Sequence, residues 1–408
     1  MRRAGVSCFL LTAVQGGYQG ALMAPTEVLA EQHHLSITQF LAGLTVASES
    51  TLMGERPVRV ELLTNRTGAA GRRKLSAALA AGEVDIVVGT HALIYDSVAF
   101  PALGVAVIDE QHRFGVEQRA LLRGKGDDPD VLVMTATPIP RTAAMLVYGD
   151  LDKSELREMP PGRTPITTEL LGPAPLERHV AYEKVRAEVA AGHQAYVVCP
   201  LVEESEKIAA RAATEELERL GREDLAGLRL GLLHGQMPSR DKEEVMTSFR
   251  AGEVDVLVAT TVIEVGVDVP NATVMVIEDA DRFGLSQLHQ LRGRVGRGGG
   301  ASWCFLLADP QPPEGKARLE AMALSSDGFE LAERDLDIRG AGEVFGERQS
   351  GFSDLKLGRI PRDERVVVAA RGVAEDVLDT DPGLAAHRQL AEEVQDLLGD
   401  DVDFLFKS

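Results

Sequence analysis

At 408 residues the chain is long enough for two or three domains, and its apolar content of 44% is that of an ordinary globular protein. The net charge of −20 excludes a global attraction to nucleic acid, so any such contact must depend on local arginine and lysine side chains. Three widely spaced cysteines lack metal-ligand spacing. Cys199 and Cys304 lie in apolar runs, which predicts buried thiols in a reducing compartment.

The first apolar stretch of the chain, Val6 to Val14, is too short to span a bilayer. No clear small-residue cleavage site follows it, so we expect neither a cleaved leader nor a membrane anchor, and we expect a cytoplasmic protein. Beyond this stretch, apolar strand-like runs alternate with helical patterns. This alternation predicts an α/β fold with parallel sheets and crossover helices.

Three segments of the first half recur in the second half in the same order, at offsets of 175, 170 and 169 residues. The paired stretches are 16–25 with 191–200, 81–90 with 251–260, and 108–115 with 277–284. A period this long indicates a duplicated domain and not a solenoid. We therefore predict two α/β domains of the same fold in tandem, joined by the proline-rich stretch 159–165.

The most informative stretch is Asp109-Glu110-Gln111-His112, which follows the apolar run Leu103 to Ile108. Ligands of parallel α/β sheets bind where strands end, and Mg²⁺ takes one or two carboxylates, with water and phosphate oxygens as its other ligands. A second carboxylate is suited to orient an attacking water and accept its proton. The pair predicts a metal and water site, although a solvated turn is the better explanation of Asp109 and Glu110 taken alone.

Three further turns of the first half have hydroxyl groups after apolar runs. They are Pro25-Thr26-Glu27, Gly89-Thr90-His91, and the stretch with Thr135 and Thr137, which we expect beside the acidic pair. Each of the first two is either an anion-binding start of a helix or an ordinary N-cap, and the N-cap is the simpler interpretation of each one alone.

The second half contains a basic stretch in which Arg292, Arg294 and Arg297 alternate with glycines. Arg294 and Arg297 are three residues apart, so a helical turn would place them on one face, where paired guanidinium groups can bind phosphate. The alternative is a basic surface loop. Because Glu278-Asp279 does not reproduce the acidic pair, we expect the copies to have diverged, with an acidic site on one facing a basic site on the other.

A polar stretch precedes this basic segment. Thr260 and Thr261 end an apolar run, and Gly266 and Asp268 follow. The hydroxyls and backbone amides could hold a phosphodiester backbone, and Asp268 could hold a ribose or an arginine. A strand followed by a capped turn explains the same residues just as well.

Taken in order, these stretches resemble the motifs of superfamily 2 helicases, from Pro25-Thr26-Glu27 to Gln290–Arg297. The extended forms resemble RecG-type helicases: DEQHRFGVEQR from Asp109, MTATPIPRT from Met134, LHQLRGRVGRG from Leu288 and PPGRTPITT from Pro160. The segment from Arg334 to Gly351 is similar to the translocation module that RecG shares with the transcription-repair coupling factor. Gln111 is typical of RecG, because the coupling factor usually has Glu there. The resemblance covers nearly the whole chain.

The resemblance implies two RecA-like domains and a C-terminal module. Their expected bounds are 1–158 for the first domain, which is truncated at its start, 164–310 for the second, and 311–408 for a helical-hairpin translocation module with an acidic tail. The implied protein is a monomeric, nucleoid-associated motor that uses ATP and Mg²⁺. Its implied partner is duplex and branched DNA, in repair and recombination.

The resemblance also implies roles residue by residue. Catalysis is implied for Asp109, Glu110, Gln111, His112, Gln290, Arg294 and Arg297. Nucleotide binding is implied for Asp109, Glu110, Gly266, Asp268, Arg294 and Arg297, with Asp109 as the metal ligand. DNA contact or coupling is implied for Pro25, Thr26, Glu27, Gly89, Thr90, His91, Thr135, Thr137, His234, Gly235, Thr260, Thr261, Arg318, Arg339 and Gln349.

One element of the resemblance is missing. The family's first domain opens with a Gly-x-Gly-Lys-Thr loop that wraps phosphates in backbone amides. No Gly-Lys-Thr or Gly-Lys-Ser occurs in the chain, and the residues Met1 to Cys8 look out of family. We therefore expect a truncated first domain with an open sheet edge and impaired activity. Two alternatives remain, a non-catalytic DNA-binding remnant and a fragment of the coupling factor.

We predict that the purified chain hydrolyses ATP far more slowly than a full-length relative. A single donor to a developing negative charge contributes about 3 kcal/mol, and the phosphate loop supplies several such groups. A DNA-stimulated ATPase assay on both proteins measures the difference. Turnover close to that of the full-length relative would contradict the prediction.

Overall fold

The computed structural model describes residues 2–47, 54–110, 116–135, 154–156, 164–200, 206–261, 269–309, 313–339 and 364–398. The chain divides into two compact units, the first built mainly from residues up to 136 and the second from residues 137–402. Each unit has its own sheet and its own hydrophobic core. The predicted linker 159–165 lies outside the described residues, except for its last two positions.

The first unit is a parallel sheet with helices on it. Its elements are α1 Arg2–Gln15, β1 Gln19–Met23, α2 Glu27–Phe40, β2 Thr45–Ala47, β3 Glu55–Pro57, β4 Val60–Leu63, α3 Ala69–Ala80, β5 Ile86–Gly89, β6 Leu103–Asp109, α4 Val116–Arg123 and β7 Asp130–Met134. Five strands pair in the order β4-β5-β1-β6-β7, all in parallel, and β2 with β3 forms a small antiparallel ribbon. All residues of β1 and β5 are buried, as expected for central strands covered on both faces.

Helix α1 covers one face of this sheet. Its residues Val6, Leu10 and Val14 are buried in one core with Leu22 of β1 and Val107 of β6. The apolar run at the start of the chain is therefore a packing face, and the helix continues through the opening residues as far back as Arg2. Within the described parts of the chain, no helix is both long enough and apolar enough to cross a membrane.

The second unit repeats this architecture and extends it. Its elements are β8 Ile166–Leu171, α5 Pro175–Ala190, β9 Gln194–Val198, α6 Glu206–Arg222, β10 Leu230–Leu233, α7 Ser239–Arg250, β11 Val256–Ala259, β12 Ala272–Ile277, α8 Leu285–Arg292, β13 Ser302–Leu307, α9 Pro313–Leu324, α10 Gly328–Arg339, α11 Glu364–Thr380 and α12 Arg388–Leu398. Six parallel strands pair in the order β10-β11-β9-β12-β13-β8.

The strand orders confirm two tandem α/β domains of one fold, because β4, β5, β1, β6 and β7 correspond in order to β10, β11, β9, β12 and β13. The sheets differ at one edge. In the second sheet β8 pairs with β13, whereas β7 is the last strand on that side of the first sheet as described. All residues of β7 are at least partly exposed.

Side-chain hydrogen bonds repeat as well. In the first unit the Gln19 Nε2 atom donates to the carbonyl oxygens of Leu79 and Val84, at 3.1 and 2.9 Å. In the second unit Gln194 Nε2 donates to Phe249 O and Val254 O, at 2.6 and 2.7 Å. Both glutamines are buried, and each one ties the first residue of a central strand to the turn before the neighbouring strand. The duplication therefore extends to individual buried contacts.

Helices α9 and α10, which follow residue 310, pack into the core of the second unit. Leu319 and Met322 of α9 and Leu331 of α10 share one core with Met275 of β12 and Leu288 of α8. The domain boundary predicted at residue 310 stays a prediction. Residues 340–363, which include the predicted loop of the translocation module, lie outside the described residues.

The prediction of buried thiols is confirmed. Cys199 and Cys304 are free and buried at the sheet of the second unit. Burial raises the pKa of the Cys304 thiol to about 12 and also raises the pKa of Cys199, because the charged thiolate is disfavoured away from water. Both thiols are therefore packing groups and not nucleophiles.

We predict that Gln194→Met lowers the free energy of unfolding of the second unit by about 1–3 kcal/mol, the cost of an unsatisfied buried acceptor. The carbonyl of Val254 would lose its side-chain donor, whereas Phe249 O would keep its hydrogen bond from the backbone N–H of Gly252. Trp303, the only tryptophan of the chain, lies in β13 and reports urea unfolding by fluorescence. The control is Gln236→Met, an exposed glutamine of the same unit, and equal midpoints for the two variants would refute the prediction.

Candidate functional site

The candidate site lies at the carboxyl edge of the first sheet. Met23 of β1 is in register with Gly89 of β5 and with Ile108 of β6, and Leu63 of β4 is also in register with Gly89. Because these strands are parallel, the turns that follow them emerge at one edge. Three of the four turns were predicted to have functional roles.

Asp109 is the last residue of β6 and is held by two donors. Its Oδ2 atom lies 2.7 Å from Nε2 of His33 on α2, and its Oδ1 atom accepts the backbone N–H of Glu110 at 3.1 Å. Only 14% of the Asp109 side chain is exposed, so this residue is not the solvated turn that was the simpler alternative. Gln111 and His112 lie outside the described residues.

Glu110 follows with a positive φ of 53°, in the left-handed region that non-glycine residues adopt rarely. Backbone strain of this kind clusters at functional turns. On the next strand Met134 is in register with Asp109, so Thr135 follows β7 beside the acidic pair, as the sequence predicted. Thr137 lies outside the described residues.

The chemistry of Asp109 fits a single carboxylate ligand of Mg²⁺. Each oxygen has one donor, so lone pairs remain on both. Within the described ranges no group of three or more His, Cys, Asp or Glu side chains could hold a metal ion. A single protein carboxylate is compatible with Mg²⁺, which commonly has waters and phosphate oxygens as its other ligands.

The turn after β1 begins helix α2. Thr26 is the N-cap, and its Oγ1 atom accepts the backbone N–H of Leu29 at 3.3 Å, so the N-cap interpretation is confirmed for this hydroxyl. Pro25 precedes it. Glu27 forms an ion pair with Arg66 at 2.8 Å. The turn is therefore linked to the loop that follows β4.

The loop after β4 contributes residues that the sequence interpretation missed. Asn65 Nδ2 lies 3.1 Å from His91 Nε2, in the turn after β5, and Arg66 reaches Glu27 in the turn after β1. Thr64 and Thr67 fold the loop by bonding its backbone amides. The signal in the sequence was a polar Thr-Asn-Arg-Thr stretch directly after an apolar run, as in the other turns.

Gly89 and Thr90 have packing roles. A Cβ atom on Gly89 would overlap the carbonyl oxygen of Leu63, so only glycine fits the close approach of β4 and β5. Thr90 is 2% exposed, and its Oγ1 atom has no hydrogen-bond partner among the described residues. The DNA roles predicted for both stay predictions, and both residues are buried.

The second unit repeats the backbone of the acidic turn with different chemistry. Glu278 follows β12 where Asp109 ends β6, and Asp279 has a φ of 45°, as Glu110 has 53°. Glu278 is bound by both Nη atoms of Arg178, at 2.7 and 2.8 Å, and by the hydroxyl of Tyr182. The two copies have therefore diverged at this turn, because the second unit has a buried ion pair at the position equivalent to the acidic turn.

Burial raises the pKa values of Glu278 and Tyr182. Desolvation raises the pKa of the Glu278 carboxyl, although Arg178 and Tyr182 act in the opposite direction. Desolvation and the Glu278 charge hold the pKa of Tyr182 well above its usual value. Glu278, the counterpart of Asp109, is thus neutralised within the protein by the guanidinium group of Arg178.

The remaining turns of the second unit lie at the same edge of its sheet. Lys242 Nζ donates to Gly235 O at 2.6 Å, and burial together with Lys242 lowers the pKa of His234. Thr260 is 1% exposed, and Thr261 follows it. Gly266 and Asp268 lie outside the described residues.

The predicted arginine pair does not share a helical face. Helix α8 contains Gln290 but ends at Arg292, and Gly296, with a φ of 76°, turns the chain between Arg294 and Arg297. The expectation was wrong because Gly293 and Gly296 end the helix before the second arginine of the stretch. Arg297 is exposed, and its Nε atom donates to Gly293 O at 3.1 Å.

Arg292 has a structural role that the sequence did not reveal. The residue is 4% exposed, and its guanidinium group donates to Met322 O and Ser325 O, both at 2.8 Å, at the carboxyl end of α9. Buried carbonyls at a helix end need donors, and a cation there also complements the helix dipole. Arg292 therefore joins α8 to α9.

The predicted coupling residues of the C-terminal part are only partly described. Arg318 of α9 donates from Nη2 to Asp281 O at 3.4 Å, in the turn that follows Glu278. Arg339 is the last residue of α10, and Gln349 lies outside the described residues. Their coupling roles stay predictions.

Three families match parts of the chain. Residues 7–146 match the DEAD/DEAH box helicase family, residues 178–299 the helicase conserved C-terminal domain, and residues 325–400 domain 3, C-terminal, of the ATP-dependent DNA helicase RecG. A structure of yeast Dbp5 bound to RNA and ADP BeF3 covers 91% of the chain at 14% identity with a TM-score of 0.56, which shows the fold alone. The two helicase family matches assign the two units of the chain to the superfamily 2 helicase class.

Within that class, the chain belongs to the RecG type. It is 49% identical to the ATP-dependent DNA helicase RecG of Synechocystis over 96% of its length, and 50% identical to that of Bacillus subtilis over 91%. A structure of RecG bound to a three-way DNA junction covers 89% of the chain, at 42% identity and a TM-score of 0.68. The chain spans about half the length of these relatives, 46% and 52%.

We predict that Arg292→Met lowers the free energy of unfolding of the second unit by roughly 2–4 kcal/mol, because the carbonyls of Met322 and Ser325 lose a charged donor. Urea unfolding followed by Trp303 fluorescence gives the value. Arg297→Met is the matched control, since Arg297 is exposed and its substitution should change the midpoint little. Equal loss in both variants would contradict the structural role of Arg292.

Proposed function

We propose that the chain is the motor part of an ATP-dependent helicase or translocase that acts on branched DNA. The supporting observation is the acidic turn of the first unit, where a mostly buried carboxylate and a left-handed glutamate end β6. The turns after β1, β4 and β5 lie at the same edge. One relative with this fold was solved on a three-way DNA junction, and it supports the choice of substrate.

In this proposal Asp109 is the protein ligand of Mg²⁺, which when bound supplies positive charge to the phosphate oxygens. Glu110 orients the attacking water and accepts its proton. We assign Gln111, His112, Gln290, Arg294 and Arg297 to catalysis, and Gly266 and Asp268 to nucleotide binding, as the resemblance implies. Arginine is suited to such a role because its charge persists and its donors match phosphate oxygens.

The proposed DNA contacts of the first unit are the three turns linked by Arg66 and Asn65. The ion pair of Glu27 with Arg66 and the contact of His91 with Asn65 hold them as one surface. Backbone amides and polar side chains of this kind bind phosphates and position the strand without reading its sequence. The net charge of −20 supplies no overall attraction to DNA, so this binding depends on local contacts.

A second candidate is a DNA-binding protein without ATPase activity. It is favoured by one observation, that no Gly-Lys-Thr or Gly-Lys-Ser occurs in these 408 residues. The two candidates share the DNA surface and differ only in whether the acidic turn has a catalytic role. A substitution at Glu110 therefore separates them.

We expect the chain to show slow ATP hydrolysis that a three-way DNA junction stimulates, and we expect Glu110→Gln to abolish it without weakening junction binding. The matched control is Glu61→Gln on β4, a half-exposed carboxylate of the same sheet that pairs with Arg59. Phosphate release and fluorescence anisotropy with a labelled junction give the two quantities. If the chain binds the junction but Glu110→Gln leaves ATP hydrolysis unchanged, the second candidate is supported. If the chain does not bind the junction, both candidates are contradicted.

A further inference from the structure

A histidine outside every predicted motif contacts the acidic turn. His33 lies on α2, 76 residues before Asp109, and its Nε2 atom is 2.7 Å from Oδ2 of Asp109. The two side chains are 11% and 14% exposed, so little water competes for this contact. The next residue, His34, has a different partner and approaches the backbone carbonyl of Val60 at 3.4 Å.

The direction of this hydrogen bond follows from the chemistry of the pair. An ionised carboxylate can only accept, so Nε2 of His33 has the hydrogen and donates it to Asp109. The other oxygen of Asp109 accepts the N–H of Glu110 at 3.1 Å. Two donors from two different elements therefore determine the plane of the carboxylate and the directions of its remaining lone pairs.

We propose that His33 is a positioning residue, which orients the Asp109 carboxylate for a divalent cation. The proposal rests on the metal role that the proposed function gives to Asp109. Groups that bond a metal ligand from behind restrict its orientation, and their removal commonly weakens metal binding about 10- to 100-fold. Helix α2 also begins at the Thr26 cap, so one rigid helix joins this donor to a proposed DNA turn.

The test is a titration of the purified chain with Mn²⁺ alone, followed by the electron paramagnetic resonance signal of free Mn²⁺. The difference in bound Mn²⁺ between the unsubstituted chain and Asp109→Asn gives the binding at this site. We expect His33→Met, which keeps the side-chain volume but has no donor, to weaken binding at this site by about 10-fold or more. We expect His33→Gln, whose amide can donate from nearly the same position, to restore most of the affinity. His34→Ala is the matched control and should bind Mn²⁺ as the unsubstituted chain does.

The failures of the two proposals are distinguishable. If Asp109→Asn removes the site but His33→Met binds Mn²⁺ normally, the positioning role is wrong and the metal role of Asp109 survives. If Asp109→Asn changes nothing, or if no Mn²⁺ binds, the metal assignment fails and the positioning role fails with it.

A second measurement uses the unsubstituted chain, so it does not depend on the folding of a variant. With ¹⁵N-labelled histidine, Mn²⁺ should broaden the ring signals of His33, because its ring lies 2.7 Å from the proposed metal ligand. Ring signals of His33 that stay sharp while Mn²⁺ binds would overturn the proposal.

Discussion

The parallel pairing of β1 with β5 on one side and β6 on the other is the constraint on which the first unit depends. All residues of β1 and β5 are buried, so a shift of register would expose apolar surface and leave backbone groups unpaired. The register that results brings the ends of these strands to one level. Polar turns that are far apart in the chain thus share one edge, and Asp109 lies there with a donor from α2 and a donor from its own turn.

The duplicated unit shows that the same backbone turn can have different side-chain chemistry. Glu278 and Asp279 follow β12 with the left-handed geometry of the acidic turn, and Gln19 and Gln194 make equivalent buried bonds. The difference lies in Arg178, whose guanidinium group neutralises Glu278 within the protein. A buried charge must be paired, and in this unit the partner is the guanidinium group of Arg178.

Three neighbouring arginines have different structural environments because a helix ends among them. Arg292 is still on α8 and is turned inward against the carbonyls at the end of α9. Arg294 and Arg297 follow the helix, separated by a glycine with positive φ. One short stretch thus contains both the buried contact of Arg292 and the exposed charge of Arg297. The buried guanidinium group of Arg292 also attaches the segment proposed for catalysis to α9.

Periodicity and repeated segments were sufficient to predict two tandem parallel α/β domains, the buried cysteines and the turns at the ends of β1, β5 and β6, because these depend on local patterns of apolar and polar residues. Local patterns failed where the end of a helix, or a contact between residues far apart in the chain, determines the position of a side chain. They placed Arg294 and Arg297 on one helical face, did not reveal that Thr90 is buried, and overlooked Asn65 and Arg66.

The sequence by itself determined the order of the motifs, and with it the family. Only the tertiary structure decided that Asp109 is held by His33, that Glu278 is closed by Arg178, and that Arg292 is buried. The first two contacts join residues 76 and 100 positions apart, and the bonds of Arg292 reach 30 and 33 residues along the chain. Such pairings arise from packing of helices on sheets, and no spacing in the chain encodes them.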